Sequence, residues 1–237
     1  MQKSSVDEIR ERFDRDVERF SNLETGHSAF MDATLVLDLV TQAAAQTAPD
    51  ARCMLDLGCG AGNYTLKLLE RLPNLNVDLI DLSRPMLDRA QARLAGATNG
   101  EVRAMQGDVR ELALEPGRYG LILAAAVLHH LRGEDEWKQV FAKLARALKP
   151  GGWLWIADLI AHTDPRLQAL HWQQYGVYLT NLRDEAYREA VFAYTEREDT
   201  PRPLVWQLDL LRASGFDEVE VLHKHAVFAA FGARRKG

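Results

Sequence analysis

Cysteine is scarce in this 237-residue chain: Cys53 and Cys59 are the only two. They stand close together in an apolar, glycine-rich stretch, and such a pair is no disulfide framework. Reduced thiols are the expectation, and no metal-site spacing of cysteines appears. Long hydrophobic runs are missing as well. No stretch approaches the roughly 20 apolar residues that cross a bilayer. The first residues, MQKSSVDEIRERFDRDVERF, lack the apolar core of a secretion signal. A cytoplasmic protein with no membrane partner is therefore expected. A basic excess is lacking too. Lys plus Arg number 29 against 34 Asp plus Glu, a net charge of −5, whereas nucleic-acid binders carry a basic stripe. No nucleic-acid partner is expected. Internal repeats and low-complexity segments are also absent.

What the chain has is a globular composition, 47% hydrophobic and 27% charged, enough for one large α/β domain with a small accessory region. Val6, Ile9, Phe13, Val17 and Phe20 recur at helical spacing and predict an amphipathic helix over 5–20, capped by Ser4 or Ser5. A polar loop, SNLETGHSAF, and a second helix over 31–47 complete a helical cover of residues 1–50. From residue 52 strands alternate with helices: CMLDL, VDLIDLS, EVRAMQGD, YGLILAAA and WLWIADLI read as strands. That rhythm predicts a parallel sheet with helices on both faces, across a domain of residues 51–237. Residues 162–203 interrupt it as an inserted helical pair. EVEVLHK and AVFAAFGA, joined by a short turn, then predict a closing antiparallel hairpin.

The loop MLDLGCGAGNYT follows the first strand, where doubly wound sheets bind nucleotides. A dinucleotide fingerprint needs a third glycine where Asn63 stands, and a P-loop needs a lysine that is absent. Asp56, Gly58, Gly60 and Gly62 do fit D-x-G-x-G-x-G, the loop that holds S-adenosylmethionine (SAM). Asp81 ends the second strand, placed to accept ribose hydroxyls. Asp108 and the Val109 amide end the third, placed to read an adenine edge. Any one of these acids alone is as readily a helix cap; three at successive strand ends converge on one ligand.

These motifs, with LIDLSRPMLDRA, LILAAAVLHHL and LKPGGWLWIADL, resemble those of class I SAM-dependent methyltransferases. The resemblance is strong over residues 50–160 and weaker over 203–234. It implies a seven-stranded Rossmann-like sheet of order 3-2-1-4-5-7-6 with the last strand antiparallel. It also implies that Asp56 and Gly58 hold the methionine amino group, Asp81 the ribose, Asp108 and Val109 the adenine, with Met86 packed against the nucleoside. Gly60, Leu82 and Ala125 belong to the same implied site.

After the fourth strand, family members that methylate base amines carry [DN]-P-P-[YF]; here Ala124, Ala125 and Ala126 offer no side-chain acceptor, which disfavours that chemistry. The LHHL that follows resembles small-molecule methyltransferases, with His129, or its neighbour His130, as a candidate general base. The insertion crowds Trp172, Tyr175, Tyr178 and Asn181 together. Aromatics so spaced build a core or cover a sulfonium by cation–π attraction. Two enzymatic readings share the cofactor. The first is methyl transfer to a small-molecule acceptor. The alternative uses SAM as sole substrate, cyclised to azetidine-2-carboxylate with loss of methylthioadenosine; WQQYGVYLTN resembles the synthases of that compound, with Tyr175 and Asn181 as catalytic candidates. A SAM-binding module without catalysis is disfavoured by the complete set of binding positions. The oligomeric state stays open, a homodimer included.

Overall fold

The computed structural model describes residues 3–22, 26 and 28–237. Its strands are β1 (Cys53–Leu57), β2 (Asn76–Asp81), β3 (Val102–Gln106), β4 (Tyr119–Ala125), β5 (Leu148–Leu159), β6 (Phe216–His225) and β7 (Phe228–Arg235). They form one sheet in the order β3-β2-β1-β4-β5-β7-β6. β1 to β5 pair in parallel, and β7 runs antiparallel to both β5 and β6. This is the doubly wound, seven-stranded sheet expected from the alternation and the closing hairpin.

The helices are α1 (Val6–Arg15), α2 (Val17–Ser21), α3 (Ala33–Thr47), α4 (Asn63–Leu69), α5 (Arg84–Leu94), α6 (Glu134–Ala147), α7 (Pro165–Leu182), α8 (Glu185–Glu198) and α9 (Leu204–Ala213). None among the described residues is long and apolar enough to cross a membrane. Successive β1 residues serve opposite cores because strand side chains alternate. Met54 packs with Val36, Leu68 and Leu87 on one face; Leu55 packs with Trp137, Phe141 and Leu211 on the other. Both faces are covered, so β1 is buried throughout and reads as an uninterrupted apolar run.

The first helix differs from expectation. It breaks at Asp16 (φ −104°, ψ 11°), whose amide bonds the Phe13 carbonyl three residues back. That tightened turn ends α1, which Ser5 opens with a capping box to Glu8. The break lets α2 turn so that the Phe13 and Phe20 rings meet at 5.6 Å. Part of the expected polar loop, residues 23–25 and 27, lies outside the described residues. The inserted pair is α7 and α8, capped by Asp164 and Asp184 and joined by Trp172 stacked on Phe192 at 4.7 Å. α8 is tied to the N-terminal cover: Ser4 N donates to Arg197 O at 3.0 Å, and Arg12 pairs with the buried Glu198 at 2.7 Å.

Candidate cofactor cleft and acceptor chamber

At the end of β1 the chain turns through Gly58 at φ +65°. A Cβ there would stand 2.5 Å from a Val127 methyl, so both the conformation and the close approach require glycine. The loop is fastened to the next strand. Gly60 N donates to Asp81 Oδ2 at 2.8 Å, and Ser83 N donates to Asp81 Oδ1 at 2.9 Å. One carboxylate thus ties β1's loop to the start of α5. Asp56, 2% exposed, accepts from the Thr65 hydroxyl at 2.5 Å. Burial pushes Asp56 up to about 6, against the Thr65 bond and with help from the Asp81 charge. Burial likewise pushes Asp81 up to about 6, against the Ser83, Gly60 and Leu82 amides.

At the end of β3, Asp108 is gripped by Arg110. The guanidinium Nε lies 2.9 and 3.0 Å from its two oxygens, and the Arg110 amide donates at 2.8 Å. Burial works to raise the Asp108 carboxyl, but the Arg110 hydrogen bonds outweigh it and hold it below the usual range. Lys143 Nζ donates to the carbonyls of Val109, Arg110 and Leu112 at 2.7–3.0 Å and fixes this segment's backbone. Neither Arg110 nor Lys143 was singled out from the sequence. The signal for Arg110 was its place two residues beyond a strand-end acid; Lys143 gave none.

Asp56, Gly58, Gly60, Asp81, Leu82, Met86, Asp108, Val109 and Ala125 all line one cleft, roofed by Phe13 and Phe20. Its space, open mouth included, is about 990 Å³. These residues fit SAM. The carboxylates keep acceptor capacity for hydroxyls and an amine, and Met86, Val109 and the two rings supply apolar faces.

The residue just past β4 is strained. Ala126 has φ +52°, unusual for a residue with a Cβ, and its amide bonds Ala157 O at 2.8 Å. Ala126 borders both the cleft and a second chamber of about 700 Å³, walled by Phe30, Tyr175, Tyr194 and Phe228. Beyond it, a single 3₁₀ turn carries Leu128–His130. The fully buried Asp158 accepts from the amides of Leu128 (2.8 Å) and His129 (3.2 Å) and bonds His129 Nδ1. His129 Nε2 lies 3.6 Å from Asp199. Burial disfavours the His129 cation, but the two carboxylates outweigh burial and raise it to about 9. His129 thus faces two acids that favour its protonated form, an arrangement better suited to holding a charge than to taking a proton. His130 is the imidazole that lines both cavities. Its Nδ1 lies 3.3 Å from Asp199, and burial, then the His129 charge, hold it below its ordinary value.

Tyr175 lines the second chamber only. Its hydroxyl donates to Ala29 O at 3.0 Å, its ring meets Phe228 edge-on at 5.1 Å, and burial drives the phenol far up. It is a wall of the chamber with its proton held in place. Asn181 is exposed and lines neither cavity. Six residues on a helix turn it about 120° away from the Tyr175 face. It is not brought to the site, so no amine-orienting role is carried forward for it.

Residues 54–152 match the family model described as a methyltransferase domain. An uncharacterized methyltransferase of Mycobacterium bovis is 29% identical over 109 residues, 46% of this chain and 51% of that protein. The chain spans about half the length of that curated relative. A malonyl-[acyl-carrier protein] O-methyltransferase of a Paenibacillus species is 24% identical over 221 residues, covering 86% of this chain and 79% of its own. The solved structure of human N-acetylserotonin methyltransferase in complex with SAM superposes with a TM-score of 0.58 at 18% identity, over 85% of this chain and 52% of that one; at that identity it shows the fold. The family match runs from β1 through the start of β5 and takes in every strand end that lines the cleft. Residues 54–152 are thus similar to a methyltransferase domain, and they carry the nine residues that line the cleft together.

Proposed function

We propose that the chain transfers a methyl group from SAM to a small-molecule acceptor seated in the chamber beyond Ala126. One observation carries the reading: the cleft lined by the nine cofactor residues shares Phe13, Phe20, Ala126 and His130 with the aromatic chamber. When bound, SAM supplies an electrophilic methyl group on a sulfonium. The chain's own part is to hold and to exclude. Asp81 accepts hydroxyls and Asp56 an amine. Phe13 and Phe20 keep water out and turn aromatic faces toward positive charge. Ala124 to Ala126 leave the junction without side-chain acceptors, so an acceptor is gripped by apolar walls and aligned by shape. His130 is neutral at pH 7 and takes the acceptor's proton where there is one, with Asp199 beside it to hold the resulting imidazolium. His129 and His130, pushed apart in pKa by their surroundings, divide the positioning and basic roles.

Incubation of the pure chain with SAM, with and without a panel of phenols, carboxylic acids and amines, tests the reading. S-Adenosylhomocysteine formed only with an acceptor supports it. His130→Gln is expected to lower kcat for a protic acceptor by about 10²–10⁴ while leaving SAM affinity within about twofold. Methylthioadenosine and azetidine-2-carboxylate from SAM alone would replace methyl transfer with cyclisation, a reading now left without Asn181 at the site.

A further inference from the structure

Outside both cavities, Asp32 stands before the first turn of α3 and faces the end of β6. His223 and His225 are two residues apart on that strand, so they share a face. A β-bulge directly before them shifts the register, with Val221 opposite Phe231 but His223 opposite Ala230; bulges re-aim the side chains that follow. Asp32 meets them from a left-handed backbone, φ +60°, a region that few residues other than glycine, asparagine and aspartate adopt. Two irregularities, one on each element, bring the three side chains together. Asp32 Oδ2 lies 2.9 Å from His223 Nε2 and 2.8 Å from His225 Nδ1. All three donor atoms fall within 4.8 Å of one another.

We propose that Asp32, His223 and His225 bind a divalent transition-metal ion of the zinc class. Two imidazole nitrogens and one carboxylate oxygen are a donor set that suits borderline cations and leaves a coordination position open. Metal–ligand distances of about 2.0–2.2 Å place tetrahedral donors roughly 3.2–3.6 Å apart. The present spacing reaches that with small side-chain rotations. Without an ion, one carboxylate oxygen must take a proton-bearing nitrogen from each of two rings. An ion satisfies all three groups with both imidazoles neutral. The site is open to solvent: the His225 side chain is 48% exposed and Asp32 35%. The ion would clamp the start of α3 to β6. The stretch just before α3 includes Phe30, which walls the second chamber, and the carbonyls of Ser28 and Ala29, held by Tyr178 and Tyr175. Metal binding therefore stiffens one wall of that chamber.

The full chain, stripped with a chelator and dialysed, is titrated with zinc chloride by calorimetry and with cobalt(II) chloride by visible absorption. One equivalent of zinc and the visible bands of low-coordinate cobalt(II) are expected. His225→Ala is expected to weaken binding more than about tenfold and the His223→Ala/His225→Ala double variant to abolish it. Asp32→Asn keeps size and position; it should lose the cobalt bands while its far-UV circular dichroism stays unchanged. Absence of stoichiometric binding, or equal binding by wild type and the Asp32→Asn and His225→Ala variants, would each overturn the assignment. None of these readouts depends on methyl transfer.

Discussion

Asp56 holds a carboxyl in a place that favours its protonated form. Its folded value, about 6, lies above the ordinary 3.8 chiefly through burial, with the Asp81 charge adding to it. The contribution of such a group to stability is complete below pH 3.8 and is lost as pH climbs through about 6. Asp56→Asn keeps an acceptor for the Thr65 hydroxyl and removes the charge. The ligand-free variant is expected to match wild type in Tm near pH 4 and to exceed it above pH 6, by about 2–4 °C per kcal/mol relieved, while binding SAM more weakly. A variant no more stable than wild type at pH 8 would refute the burial argument. His129 runs the other way. Its folded value of about 9 lies above 6.5 because two carboxylates outweigh burial. Its contribution is complete below pH 6.5 and is lost as pH rises through about 9. His129→Gln should therefore lose most stability at pH 6 and least at pH 10, as thermal denaturation at each pH would report. A parallel offset across that range would mean that His129 is neutral in the folded chain.

Elements at the N-terminus were legible as amphipathic helix, but the break at Asp16 was not. Apolar spacing continues from Phe13 through Val17 to Phe20 without a flaw, and only the tertiary destination of the two rings decides that the axis turns. The α7–α8 pair was legible from the loss of alternating rhythm, yet which aromatics face the chamber was not. Helical spacing marks a face and does not say what covers it, so Tyr175 was placed near the site and Asn181, beyond its face, was misplaced. One contact joining the cover to this pair is the Arg12 guanidinium, with Nε 2.8 Å from Glu198 Oε2 and Glu198 only 3% exposed. Glu198→Gln halves that interaction. It should cost about 1.5–3 kcal/mol, the range for hydrogen bonds to a charged group. Arg12 keeps its stacking over Phe13 at 4.2 Å, so the cover loosens and stays folded. Faster amide exchange over residues 6–21 and faster SAM dissociation are expected, with unfolding of the sheet otherwise as in wild type.

At the scale of the molecule, sheet order and strand-end chemistry were legible because they depend on local signals: an apolar run, a glycine turn, an acid at the next strand tip. All nine cofactor residues named from sequence meet in one cleft for that reason. Partners brought from distant segments, Asp158 and Asp199 around the histidines, carry no such signal. Asp158 sits inside the apolar strand β5 and Asp199 just past a charged helix end, and only their meeting at the His129 ring makes them one cluster. That long-range packing has a consequence for dynamics. Phe13 and Phe20 roof the cofactor cleft, α1 is fastened to α8 through Arg12 and Ser4, and none of residues 185–198 lines that cleft. A ligand that rigidifies the roof must therefore slow opening of α8 as well, since each holds the other closed. Hydrogen–deuterium exchange with and without SAM should show added protection over residues 6–21 and, by a comparable factor, over 185–198, while α9, remote from the cleft, changes little. Protection confined to 6–21 would mean that the two halves of the cover open independently.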